Sequence, residues 1–205
     1  MERESGSERA FVALVCVFVG CLTIASVLAD KILSLYGLFV PAGVLAYSVT
    51  FVCTDTIGEI WGAGRSRSVV LGGFVALLFV LVLVQIGIAW PSAPFWERSE
   101  AFESVLGSTS RIIVASFAAY LFSQFHDIWA FHFWRRVTNQ KHLWLRNNLS
   151  TAVSQLLDST IFIAIAFYGV LPIWPLVFGQ WIVKLAISAA DTPIVYLLVW
   201  LLRRK

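Results

Sequence analysis

The sequence predicts an all-α, polytopic integral membrane protein of six transmembrane helices with both termini in the cytoplasm. Three observations predict it. The 205 residues are 59% hydrophobic and only 13% charged, with a mean hydropathy of +0.82. A soluble domain of this length needs more polar surface than that to face water. The apolar residues fall into six blocks, each near the ~20 residues that cross a bilayer's hydrocarbon core. Finally, eleven of the fifteen Lys and Arg residues fall on one side of the chain so threaded, and such an excess marks the cytoplasmic side.

The elements follow in order. "MERESGSERA" is a short polar tail carrying Arg3 and Arg9. Helix 1 spans about 10–30. Its end, "SVLAD", resembles a cleavage site after Ala29, but the block is long for a signal-peptide core and the tail has no net positive charge, so it is expected to remain as a membrane helix. Helix 2 spans about 38–60, with Pro41 in its first turn, where proline is tolerated. "GAGRSR" turns the chain into helix 3, about 69–90. The segment 91–110, "PSAPFWERSEAFESVLGSTS", is the one long connection. It predicts an outer interfacial segment with a short amphipathic helix at 97–106, placing Phe95, Trp96 and Phe102 at headgroup depth.

Helix 4 spans about 111–134, helix 5 about 148–170 and helix 6 about 176–202. Trp134 and Trp144 bracket the inner interface, and Trp174 and Trp181 of "YGVLPIWPLVFGQW" suit the outer one. Pro193 lies inside helix 6 and is expected to kink it. Nothing remains for a soluble domain, so 1–205 reads as a single membrane domain. The net charge of +3 reflects topology, and no compact basic patch points to nucleic acid. Cys16, Cys21 and Cys53 lie in apolar blocks without CxxC or Cys/His spacing; they read as small buried hydrophobes, with no metal and no cofactor expected.

Ionisable groups inside spans cost roughly 2.5–3.5 kcal/mol each on insertion scales, so they face the bundle interior and mark function. Here they fall in stripes. Ser116, Tyr120, Gln124 and Asp127 step along one face of helix 4. Arg146, Ser150, Ser154 and Asp158 do so on helix 5, and Gln180, Lys184, Ser188 and Asp191 on helix 6. Three such stripes converge only on a shared interior. At about 1.5 Å per residue, Asp158 lies roughly 15 Å into helix 5. Lys184 is expected to be countered by Asp158 or Asp191, because an unpaired buried ammonium is costly. "SQFHD" (123–127) and "SQLLD" (154–158) recur on antiparallel helices, as in inverted-repeat transporters. His126 and His132 flank Asp127 and read as structural. Asp127, without a cation of its own, is the candidate for proton exchange during a cycle.

Helix 2 ends in "VCTDTIGEIWGAGRSR". Asp55 is expected inside the bundle, and Glu59 at the interface as a partner for Arg65 or Arg67. No GxxxxGK[ST], HExxH or GxSxG occurs, which excludes a P-loop ATPase and leaves hydrolase chemistry without a motif.

At "TDTIGEIWGAGRSR", "RIIVASFAAYLFSQFHD", "LRNNLSTAVSQLLDSTIF" and Lys184 with Pro193, the chain resembles the queuosine-precursor transporter family, also called the vitamin uptake transporter family. One departure is "ASVLADK" at the end of helix 1, where the family often has Asn before the Lys. The resemblance implies a multi-pass protein of the plasma or inner membrane, not an enzyme, that imports 7-cyano- or 7-aminomethyl-7-deazaguanine, alone or as a homodimer. It points to Asp55, Arg111, Gln124, Asp127, Asp158 and Lys184.

The full expected substrate site is Asp55, Tyr120, Gln124, Asp127, Gln155, Asp158 and Lys184, with Glu59, Arg111, Arg146 and Asp191 as structural or gating groups. A carboxylate can accept the adjacent ring N–H and amino group of a deazaguanine together. Gln124, Gln155 or Lys184 can donate to its carbonyl, and Tyr120 or Phe125 can cover its face. Two other readings are a substrate-binding subunit of an energy-coupling-factor importer and an intramembrane enzyme.

Overall fold

The computed structural model describes residues 2–137 and 143–203. Among these the chain forms α1 (Glu2–Leu28), a hairpin of β1 (Ile32–Leu35) and β2 (Leu38–Pro41), α2 (Gly43–Trp61), α3 (Ala63–Ala89), α4 (Ser99–Val137), α5 (Leu143–Phe167) and α6 (Ile173–Arg203). Six helices thus stand in the order the apolar blocks predict. Among the described residues, four stretches are long and apolar enough to cross a membrane: Ser7–Leu28, Ala63–Ala89, Ser99–Ser123 and Ile173–Leu202. Ala152–Phe167 is a shorter apolar helix. In α2 the apolar run is diluted by Thr50, Thr54, Asp55, Thr56 and Glu59.

The hairpin corrects the all-α expectation. Tyr36 (φ 50°) and Gly37 (φ 86°) both take left-handed backbone, the signature of a tight two-residue turn whose twist suits paired strands. The Ala42 N–H donates to the Lys31 carbonyl at 2.7 Å and closes its base. Pro41 therefore ends β2 instead of opening α2.

Other boundaries move for local reasons. Gly62 (φ 89°) alone makes the α2–α3 corner, so α3 starts at Ala63 and not near 69. The helix expected at 97–106 is the start of α4, which runs unbroken for 39 residues. Trp96 and Phe102 meet edge to face there, 5.6 Å apart. Gly169 (φ 80°) follows α5 as a left-handed stop. α6 continues through Pro193. Cys53 is buried as expected, whereas Cys21 is half-buried and Cys16 exposed.

The chain divides into two compact units. The first comprises Met1–Ile32, Pro41–Ser110 and Ala186–Lys205, the second Leu33–Val40 and Arg111–Leu185. In the first unit, Phe18, Cys53, Ile57 and Val69 form a core shared by α1, α2 and α3. Two glycines set the spacing. A Cβ on Gly73 would lie 2.5 Å from the Phe18 ring and 2.8 Å from Leu22, and one on Gly43 would strike the Ala25 carbonyl. At one end, Trp61 Nε1 donates to Ser7 Oγ at 3.1 Å, and Arg65 pairs with Glu8 at 3.1 Å.

In the second unit, the buried side chains include Ile112, Ile113 and Ala119 of α4, Ile163 of α5 and Val177 of α6. Gly179 of α6 lies against the backbone of Phe39 in the hairpin. Trp181, expected at the outer interface, is half-buried, and its Nε1 donates to the Ala152 carbonyl at 2.9 Å.

Candidate functional site

In the second unit, the stripes of α5 and α6 meet at one ion pair. Lys184 Nζ donates to Asp158 Oδ2. The Lys184 side chain is 5% exposed and that of Asp158 18%. Of the two carboxylates expected for Lys184, the structure selects Asp158. Close to the pair in sequence, two buried polar atoms have no hydrogen-bond partner: Ser159 Oγ and Gln180 Oε1. Ser159 follows Asp158 directly, and Gln180 precedes Lys184 by one helical turn. An unsatisfied buried group costs about 1–3 kcal/mol, so such atoms persist where something else has use for them.

Gln155 lies one turn before Asp158 and is half-buried, as is Tyr120 of α4. His126 Nδ1 of α4 and Ser154 Oγ of α5 are in hydrogen-bond contact at 3.1 Å. Arg111 is tied down by its guanidinium. Its Nε donates to the Ile165 carbonyl at 2.6 Å and its Nη2 to the Tyr168 carbonyl at 2.8 Å. A cation there satisfies the free carbonyls at the C-terminal end of α5 and matches the helix dipole. The side chains of Gln124, Phe125, Asp127, His132, Trp134, Trp144 and Arg146 lie outside the described residues.

In the first unit, Asp55 and Glu59 line a cavity of about 860 Å³ with Ser66, Arg67, Tyr196 and Trp200. They stand four apart, hence on one face of α2. Asp55, expected inside the bundle, is exposed and lies on the rim of this space. Glu59 lines the same space together with Arg67, one of the two basic residues expected near it, while Arg65 Nη1 holds Glu8. Ser66 Oγ donates to the Thr54 carbonyl at 3.0 Å, fixing the α2–α3 wall.

Tyr196 and Trp200, also four apart, were not anticipated; the only signal in the sequence was two aromatics at helical spacing in an apolar run. Asp191 is 9% exposed, with Oδ2 lacking a hydrogen-bond partner. It lies one turn before Val195 of the cavity lining and within electrostatic reach of Asp55. Thr56 Oγ1 is likewise buried and unpartnered. Among the described residues, no three of His, Cys, Asp and Glu gather as metal ligands would.

Comparison with known proteins agrees with the motifs. The family model described as "Putative vitamin uptake transporter" matches residues 41–198. A Bacillus subtilis protein named "Probable queuosine precursor transporter" is 34% identical over 185 residues, covering 88% of this chain and 81% of the relative. A Haemophilus influenzae protein of the same name is 29% identical over 126 residues, covering 62% of this chain and 51% of the relative. No solved structure matches.

Proposed function

We propose, from the premise that this chain belongs to the vitamin uptake transporter family, that it imports queuosine precursor bases. Its family is one of transporters, not enzymes, and it is a multi-pass protein of the cell membrane. The reading takes all six helices across the bilayer with both termini in the cytoplasm. It takes 7-cyano-7-deazaguanine, 7-aminomethyl-7-deazaguanine or both as cargo.

The observation that carries the site assignment is the buried Lys184–Asp158 pair, bordered by the unpartnered Ser159 and Gln180 atoms. A guanine-like edge presents a ring N–H beside an amino group. Asp158 can accept both, while Lys184 stays within reach of Asp158 and donates to the neighbouring ring carbonyl. Gln180 and Ser159 are at hand for further polar atoms of the base. Gln155, Tyr120, Gln124 and Asp127 complete the proposed pocket, and Arg111 holds its frame through α5.

The test is uptake of each labelled deazaguanine into proteoliposomes, with guanine and adenine as competitors. Guanine shares the recognised edge and should compete; adenine does not and should be inert. The Asp158→Asn variant turns a donor towards two donors, an unmatched buried pair costing about 1–3 kcal/mol, so binding should fall about tenfold or more. Adenine competing as well as guanine, or an unchanged Asn variant, would remove Asp158 from recognition.

A further inference from the structure

Val177, Gln180 and Lys184 step three and then four residues apart along α6, hence on one face. That face is turned inward: Val177 is 0% exposed, and Gln180 and Lys184 are 6% exposed each. Valine needs no polar partner, and Lys184 holds Asp158. Gln180 has no such occupation. Its Oε1 is buried and, among the described residues, meets no hydrogen-bond donor. An apolar side chain would fill the same space without leaving an acceptor unanswered. The amide stands one helical turn from Lys184, a separation of about 5–6 Å between Cβ atoms.

We propose that Gln180 is a specificity-determining residue, which admits a free guanine-like base and rejects its nucleosides by accepting the ring N–H that a sugar would replace. The role rests on the transport reading, in which Asp158 and Lys184 take the amino edge and the carbonyl of the base. A 7-deazaguanine has a second polar edge, with the acceptor N3 beside the donor N9–H. A primary amide carries one acceptor beside its donors. Gln180 therefore matches that edge with two bonds, Oε1 accepting from N9–H and Nε2 donating to N3. Glutamine and asparagine read adjacent donor and acceptor atoms of a base in the same paired manner. A substituent on N9 removes the donor, leaving Oε1 buried and unanswered against the added group. A site built to hydrogen-bond an N–H rejects analogues lacking it more strongly than an apolar pocket does. The 7-substituent is not the partner of Gln180, because a neutral amide does not offset the ammonium of an aminomethyl group.

Three measurements on the purified full chain test the role. Gln180→Met replaces the amide by an apolar chain of similar size. Without ligand the variant should unfold at or above the parent's Tm, since it removes an unanswered buried acceptor. A clear drop would show that the amide serves the fold, and would overturn the assignment. Binding is then read from the dose dependence of Tm, with 7-deazaguanine and 9-methyl-7-deazaguanine as probes. The parent should bind the unmethylated base about tenfold more tightly or better. In Gln180→Met the gap should close, through weaker binding of 7-deazaguanine alone. A gap that survives in the variant, or a parent indifferent to the methyl group, would overturn the role.

Uptake of labelled 7-cyano- and 7-aminomethyl-7-deazaguanine into proteoliposomes separates this role from the reading beneath it. Discrimination at Gln180 without import of either base would sink the transport reading and leave the free-base site standing. Import with a methyl gap indifferent to Gln180 would do the reverse. Binding of neither probe, with no import, would sink both.

Discussion

Lys184 and Asp158 carry the strongest single-residue consequence. Removing one member of a buried pair strands the other charge, at about 3–5 kcal/mol, whereas replacing both by apolar or neutral groups is often close to neutral. Lys184→Met is therefore expected to unfold well below the parent in detergent, and the added change Asp158→Asn to restore much of that loss without restoring transport. A double-mutant cycle on Tm measures this coupling; additive effects would deny the pairing. Arg111 makes a different prediction. Its fork holds two carbonyls at once, which the single ammonium of lysine does not reproduce. Arg111→Lys should loosen the end of α5, read as faster amide exchange at Gly169–Leu171, while the amides around Ser154 stay protected.

Among the elements, the hairpin and α6 are joined at a point with no room to spare. A Cβ on Gly179 would run into the backbone of Phe39, and a backbone cannot step aside as a side chain can. Gly72, on α3, has nothing within 4 Å of such a Cβ. Gly179→Ala should therefore lower Tm and expose the hairpin to protease. Gly72→Ala should be neutral or stabilising by up to about 0.5–1 kcal/mol, the usual gain on replacing a helical glycine. If both glycines tolerate alanine equally, the Phe39 contact does not restrain the hairpin.

For the whole molecule, the positive residues orient the proposed threading. Helix 1 then runs outward and the hairpin lies outside. With Cys16, Cys21 and Cys53 replaced by serine or alanine, a cysteine in place of Tyr36 should react with a membrane-impermeant maleimide on intact cells. A cysteine in place of Ser7 should react only after lysis. The reverse pattern would invert the topology without altering the helix count. Tyr36 is the natural reporter because it is fully exposed at the hairpin tip.

The sequence by itself determined the helical membrane class, the order of the helices and the family. Hydropathy is legible because hydrocarbon admits only segments whose backbone bonds close internally, and periodicity is legible because a helix repeats every 3.6 residues. What periodicity cannot say is which neighbouring face a stripe meets. Asp158 and Asp191 were equal candidates for Lys184 until α5 and α6 packed. Glu59 shares its cavity with the nearby Arg67, but also with Tyr196 and Trp200, more than 130 residues on. The hairpin went unread because "ILSLYGLFVP" is as apolar as the start of a helix. Its left-handed Tyr36–Gly37 turn and its seat against Gly179 belong to the folded chain, where long-range packing overrides local preference.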